Sequence, residues 1–313
     1  MEAARQPIRK QSISSVSLSH QQHQQPRRKS ITEYFTKRRP SLLTRPPTLF
    51  SDFDFKEFDR WQRQHYLLKS ARKTNAWATF NTNKGAVIVD VGTGTGIWAM
   101  EIANQYNSLQ VLGLDKVLPN DQQNNPENLR FVQCDITESW PMGDNAVDFI
   151  FQRNMGDVLP KEAWPSLLKE MFRVLKPGGF IELIEYDKWH HNPGPVQQAF
   201  DSFIQEQCTL KGIDYFLTDT IANYVKESGF EEMDQKTMDI PLGEWPSDPE
   251  LKQYGFINQE AQKASLRNHR DIYLKQWGVS GSDFDLAVQE VLEEFEEYHS
   301  FTRLHCWVAK KPL

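Results

Sequence analysis

The stretch Val87-Ile88-Val89-Asp90-Val91-Gly92-Thr93-Gly94-Thr95-Gly96-Ile97-Trp98 constrains this chain more than any other. A run of β-branched residues, the mark of a buried strand, leads directly into three alternating glycines and then into helical periodicity. Glycine at such a turn supplies φ > 0 and lets backbone approach a ligand with no Cβ in the way. The helix start beyond it offers unpaired N–H donors and a positive dipole end, which favour a carboxylate or phosphate. The spacing separates ligand classes. A dinucleotide fingerprint reads G-x-G-x-x-G; here it is G-x-G-x-G, and Ile97 stands where the third dinucleotide glycine would fall. An NAD-dependent oxidoreductase is disfavoured on that ground.

The rest of the chain supplies the sheet this turn needs. Residues 86–91, 110–115, 129–135, 147–152 and 180–186 read as five buried strands, with helical periodicity over 97–106 and 164–175. Continuous Val/Ile/Leu runs separated by helices predict an α/β fold: a mostly parallel, Rossmann-like sheet with helices on both faces and right-handed crossovers. Lys176-Pro177-Gly178-Gly179 ends one helix and turns into the next strand. Ahead of the sheet, Phe58, Trp61, His65 and Leu68 recur at helical spacing, so residues 51–80 read as an N-terminal helical lid on a 51–313 domain. Past residue 190 the pattern predicts helices over 195–210 and 219–228, a strand over 235–241 and a short last strand over 305–309. Between those strands, 243–300 reads as a helical cap insertion. Ser282 with Asp285 resembles a capping box there, followed by an apolar stripe of Val288, Val291, Leu292, Phe295 and Tyr298.

Charge is unevenly distributed. Residues 1–50 hold 10 Lys/Arg and 2 Asp/Glu, leaving 26 and 40 for 51–313, so a +8 segment precedes a −14 body. The body is too acidic for a large nucleic-acid footprint, which needs clustered Lys/Arg. Residues 1–50, rich in Ser, Gln, Arg and Pro, read as a disordered basic tail. Cys134, Cys208 and Cys306 lie far apart with no partner at ligand spacing, which argues against a structural zinc or a disulfide framework. With no apolar run approaching the roughly 18–20 residues of a membrane span and no secretory h-region, the expectation is an intracellular protein, cytoplasmic and/or nuclear.

With Asp90 two residues before the first glycine, the D-x-G-x-G-x-G arrangement resembles the S-adenosylmethionine (SAM) turn of class I methyltransferases. Two further acids extend the likeness. Asp115 ends the second strand, where a carboxylate can accept both hydroxyls of a ribose. Asp135 ends the third, where in that class an acid or amide reads the adenine amino group while the next residue, here Ile136, packs on the ring. Other segments resemble the LaeA-like group of fungal methyltransferases over about 50–313: Arg60-Trp61-Gln62-Arg63-Gln64-His65, the Trp98 that follows the turn, Asp135 to Trp140-Pro141, Arg153 after strand four, Glu170 to Gly179, and Leu242-Gly243-Glu244-Trp245-Pro246. The resemblance implies a class I methyltransferase sheet with an antiparallel last strand, SAM as cofactor and a role in, or regulation of, secondary metabolism. It gives Asp90, Gly92, Thr93, Gly94, Gly96, Asp115, Lys116, Asp135, Ile136, Arg153, Gln64 and His65 as cofactor-binding residues, Gln64 and His65 by closing over it.

Methyl transfer to a small-molecule acceptor is an in-line displacement that needs orientation first, and a general base only for an acceptor that keeps its proton at neutral pH. Arg153, Asn154, Glu185, Tyr186, His190 and His191 follow strands four and five; His190, His191 and Tyr186 are the catalytic candidates, against the plain reading of solvated loop histidines. Trp245, Tyr254, Phe256, Tyr273 and Trp277 suit either an apolar substrate pocket or the cap's own core. In the tail, two basic clusters flank Ile31, Tyr34 and Phe35 within 26–40. These read as a nuclear import signal, a PCNA-like groove-binding peptide or, with residues 1–30, a mitochondrial presequence. The alternative to an enzyme is a SAM-binding regulator acting through a nuclear protein partner.

Overall fold

The computed structural model describes residues 55–119 and 124–313; the basic tail, with every expectation attached to it, lies outside the described residues. Seven strands form one sheet in the order β3-β2-β1-β4-β5-β7-β6. They are β1 (Val87–Val91), β2 (Gln110–Asp115), β3 (Leu129–Gln133), β4 (Val147–Arg153), β5 (Leu175–Tyr186), β6 (Glu231–Pro241) and β7 (Phe301–Lys310). β1 to β5 pair in parallel, and β7 is antiparallel to both of its neighbours. The chain steps outward from β1 to β3, then returns to lay β4 on the other side of β1. That reversal opens a crevice at the carboxyl ends of β1 and β4, where open α/β sheets hold their ligands.

Among the described residues eight α-helices dress the sheet: α1 (Phe55–Arg72), α2 (Ile97–Gln105), α3 (Trp164–Val174), α4 (Pro195–Lys211), α5 (Leu217–Glu227), α6 (Pro249–Asn268), α7 (Arg270–Trp277) and α8 (Gly281–Glu297). α3 and α5 cover one face, burying Trp164, Leu168, Met171, Ile221 and Val225 against Val89, Ile150, Ile181 and Trp307. α1 and α2 cover the other, where Leu67, Leu68, Trp98 and Ile102 meet Ile88, Phe149, Phe151 and Ile184. Trp98 stacks on Phe151 with ring centroids 3.9 Å apart. A third core joins α4, α7 and α8 through Phe200, Phe203, Tyr273, Phe284, Val291 and Phe295. Tyr273 and Trp277 are spent there, Trp245 stacks on His299, and Phe256 is half exposed.

Four local expectations need correction. Lys176–Gly179 is not a turn ahead of the strand: β5 already starts at Leu175, and its pairing with β4 jumps from Leu175 to Phe180 across these residues. The α8 cap is Ser280, not Ser282: the Ser280 hydroxyl accepts the Asp283 N–H at 3.2 Å, while Asp285 pairs with Arg270 at 3.1 Å. β6 begins at Glu231 rather than 235, because an edge strand exposed along most of its length carries no apolar alternation to read. Tyr298 does not join the α8 stripe but ends the helix, 41% exposed.

Candidate active site

The crevice is built around the glycine turn. Gly92, Gly94 and Gly96 all hold positive φ, at 67°, 54° and 75°. The N–H groups of Gly92 and Thr93 both donate to the Leu114 carbonyl of β2, at 2.9 and 3.0 Å, which fixes the bend. The glycines differ in what surrounds them. A Cβ on Gly92 would fall on Met155 Sδ, and one on Gly96 would lie 2.5 Å from Phe131 Cζ; one on Gly94 would meet no atom closer than 4.0 Å. Gly92 and Gly96 are closely packed by side chains, and the middle glycine faces open space, the arrangement that a ligand cradle needs.

Three carboxylates stand at the ends of β1, β2 and β3 around the turn. Asp90, 4% exposed, accepts the Thr93 hydroxyl at 2.6 Å. Burial pushes its pKa up to about 6, against the pull of Thr93 and Arg153. Asp115 accepts the Gly94 N–H at 2.8 Å and the Val117 N–H at 3.1 Å, so it sits directly beside the open glycine. Asp135 binds the Thr137 N–H and hydroxyl through one oxygen and Lys116 through the other, at 2.9 Å. Ile136 is 5% exposed and packs in the core beside Trp140, offering a ring little more than an edge.

α1 closes the other side. His65 bridges two elements: its Nε2 lies 3.0 Å from Glu101 of α2, and its Nδ1 lies 3.2 Å from the Arg153 guanidinium at the end of β4. Burial first, then the Arg153 charge, lowers the His65 pKa to about 4, so the ring is neutral. A neutral ring with Nε2–H donated to Glu101 leaves Nδ1 free to accept from Arg153, and both contacts are satisfied. Burial pulls the Arg153 pKa down, while Asp90 holds it up. Gln64 accepts the Asn154 amide N–H at 3.4 Å and lies beside the Tyr186 hydroxyl. Gln64, His65, Arg153, Asn154 and Tyr186 are thus brought together.

Glu185 turns instead toward the β4 exit, accepting the N–H groups of Met155 and Gly156 at 2.8 and 3.0 Å. Burial raises its pKa to about 7. His190 and His191 are not solvated loop histidines. His190 Nδ1 meets Asp201 of α4 at 2.7 Å; His191 Nε2 meets Asp187 at 2.8 Å and its ring stacks on Phe301. Each is tied to a carboxylate, one in α4 and one at the β5 exit beside β7. Glu101 and Met155, which hold His65 and cover Gly92, went unread in the sequence: neither belongs to a motif, and only the fold sets them against the turn.

The chain is similar to known methyltransferases. Residues 88–179 match a family described as a methyltransferase domain. The chain is 29% identical over 281 residues to a protein-methionine methyltransferase, laeA, of Emericella nidulans, covering 84% of this chain and 72% of that one. It is 29% identical over 212 residues to the methyltransferase pytC of Aspergillus terreus, covering 65% and 64%. Among solved structures, the phosphoethanolamine N-methyltransferase 2 of Haemonchus contortus with bound SAM superposes with a TM-score of 0.48 at 18% identity, over 81% of this chain and 53% of that one.

Proposed function

Because this chain is a LaeA-like class I SAM-dependent methyltransferase, we propose that it methylates a small-molecule acceptor of secondary metabolism, working in the cytoplasm and/or nucleus. The observation that carries the reading is the open face of Gly94, flanked by strand-end carboxylates and closed opposite by the His65–Arg153 bridge. When bound, SAM supplies a methyl group on a sulfonium sulfur, ready for in-line displacement. The chain's own residues do the holding. Asp115 would accept the ribose hydroxyls, and Asp135, with Lys116 swung aside, the adenine amino group, with the edge of Ile136 against the ring. Gly92, Thr93, Gly94 and Gly96 form the backbone cradle. Asp90 would pair with the ammonium of the methionine portion and Arg153 with its carboxylate, Gln64 and His65 closing over both. With the cleft shut by α1, orientation and exclusion of water do most of the catalytic work.

The test is a calorimetric titration with SAM. Asp115→Ala should weaken binding by about 1–3 kcal/mol, the usual cost of losing charged hydrogen bonds; unchanged affinity would remove Asp115 from the site. A second reading is favoured by relatives named as secondary metabolism regulators and by the +8 charge of residues 1–50. It is a SAM-binding regulator that acts through a nuclear protein partner, reached through a basic import signal or, less simply, a PCNA-like peptide in the tail. Labelled SAM in cell extract separates the two. Label in small molecules supports the enzyme, and a captured partner without label supports the regulator.

A further inference from the structure

α1 has a second face, which meets α6 rather than the cleft. Asn268 donates its side-chain amide N–H to Glu57 at 2.6 Å. At the other end Lys73 pairs with Glu250 and donates to the Tyr254 hydroxyl at 3.0 Å. These contacts make the two helices antiparallel and pin both ends. Between the pins lies a groove of about 950 Å³, walled by Tyr66, Leu67 and Ser70 of α1 and by Phe256 and Ile257 of α6. Tyr66 is 48% and Phe256 50% exposed, so two large aromatic side chains on its walls stand half in water. Exposed apolar surface rimmed by charge marks an interaction site. Two of the rim charges are matched: Lys69 pairs with Glu101 at 2.8 Å and Glu260 with Lys263 at 3.0 Å. Arg63, exposed on the α1 wall, makes no ion pair among the described residues.

We propose that this groove receives Ile31 to Phe35 of the same chain, with Glu33 against Arg63, and that the docked segment clamps α1 over the cofactor cleft. Three observations choose this occupant over a second copy or an unrelated partner. The first is the pattern of anchors. Ile31, Tyr34 and Phe35, outside the described residues, are spaced i, i+3, i+4, as when one helical turn sets three apolar side chains into a groove. The second is reach. Phe35 precedes Phe55 by 20 residues, which can span up to about 70 Å, whereas Tyr66 lies only about 17 Å along α1 from Phe55. Attachment to α1 makes the encounter intramolecular and raises the segment's local concentration above that of a free competitor. The third is charge. Residues 1–50 carry +8 against −14 for the body, and the one charge within 31–35 is the acid that Arg63 lacks. The effect on the cleft follows from α1 itself. Its other face carries Gln64 and His65, so a segment seated on both α1 and α6 ties that face to the helical cap. The clamp rests on the reading of the cleft as the SAM site; the docking does not.

Two measurements on the full chain test this. In the first, Phe35 is replaced by the photoreactive p-benzoylphenylalanine and dilute protein is irradiated without ligand. Peptide mass mapping should find position 35 joined to residues 63–70 or 253–257, at the mass of one chain. Glu33→Arg and Arg63→Glu should each lower the yield of that adduct about three- to tenfold, and the two together should restore most of it. In the second, stopped-flow measurement follows release of S-adenosylhomocysteine. Tyr34→Ser, which removes one buried anchor, should speed release roughly tenfold over the native chain. Adducts at the mass of two chains, adducts mapped elsewhere, no adduct, or a double variant no better than the single ones overturn the docking. Equal release rates overturn the clamp. A native chain that binds no S-adenosylhomocysteine overturns the cofactor reading, and the clamp with it, while the cross-link still decides the docking, so the failures are distinguishable.

Discussion

Gly94 and its neighbours show how much a single Cβ decides. A side chain on Gly92 or Gly96 collides with Met155 or Phe131, whereas one on Gly94 meets only open space. Gly94→Ala should therefore cost about 1–2 kcal/mol, the penalty for a left-handed alanine, and yet abolish detectable SAM binding. Urea unfolding and calorimetry read the two effects separately, and a variant that still binds SAM would move the ligand off the turn. Asp90 adds a pH signature. Its carboxyl, pushed up to about 6 by burial, must be ionised to pair with an ammonium group. SAM affinity should hold at neutral pH and fall as pH drops through about 6, a trend that calorimetry between pH 5 and 7.5 will show. The glycines and the three strand-end acids were legible in the sequence because their chemistry dictates their spacing. The roles of Glu101 and Met155 were not, since nothing local marks a residue whose task is to support another.

At the scale of elements, α1 matters because it carries Gln64 and His65, and its anchorage lies at its far end. Arg72 pairs with Glu182 in the middle of β5, both almost fully buried, and the second Glu182 oxygen accepts the N–H groups of Trp77 and Ala78 at 2.8 and 2.7 Å. Arg72 also lies over the Trp77 ring, 4.4 Å from its centroid. Arg72→Met would strand a buried carboxylate, which costs about 3–5 kcal/mol when one partner of such a pair is removed. It should also raise amide hydrogen exchange across 60–72 ahead of the sheet; exchange that stays uniform would show that α1 does not open independently. That α1 is a helix was legible from the spacing of Trp61, His65 and Leu68. Its tether was not, because Arg72 and Glu182 lie 110 residues apart and a charge inside an apolar strand reads as an interruption. The Ser280 cap was missed for a simpler reason: Ser280 and Ser282 both have an Asp three residues on, and only backbone geometry chooses between them.

Across the whole molecule, buried ionisable groups pull stability in opposite directions as pH falls. His65 has a folded pKa of about 4, below its ordinary 6.5. The unfolded chain therefore takes up a proton first, and stability is lost between pH 6.5 and 4, on the order of 3 kcal/mol in full. Asp90 and Glu185, raised to about 6 and 7, are protonated in the folded state first and add stability as pH falls below those values. The native protein should show a shallow dependence from pH 7 to pH 4.5. His65→Gln, which removes the opposing member, should become relatively more stable at pH 5 than at pH 7. Paired urea titrations give the sign, and a variant that follows the native slope would rule out this coupling.

The sheet has one further consequence, for how the molecule comes to be made. β7 is threaded between β5 and β6, strands synthesised well before it, and it brings Trp307 into the core beneath α3 and α5. On a translating ribosome β6 has no neighbour to pair with, and the β5 edge stays bare, until residues 301–310 have cleared the exit tunnel. The nascent chain thus waits with an exposed seam that a chaperone, or another copy of itself, is free to fill.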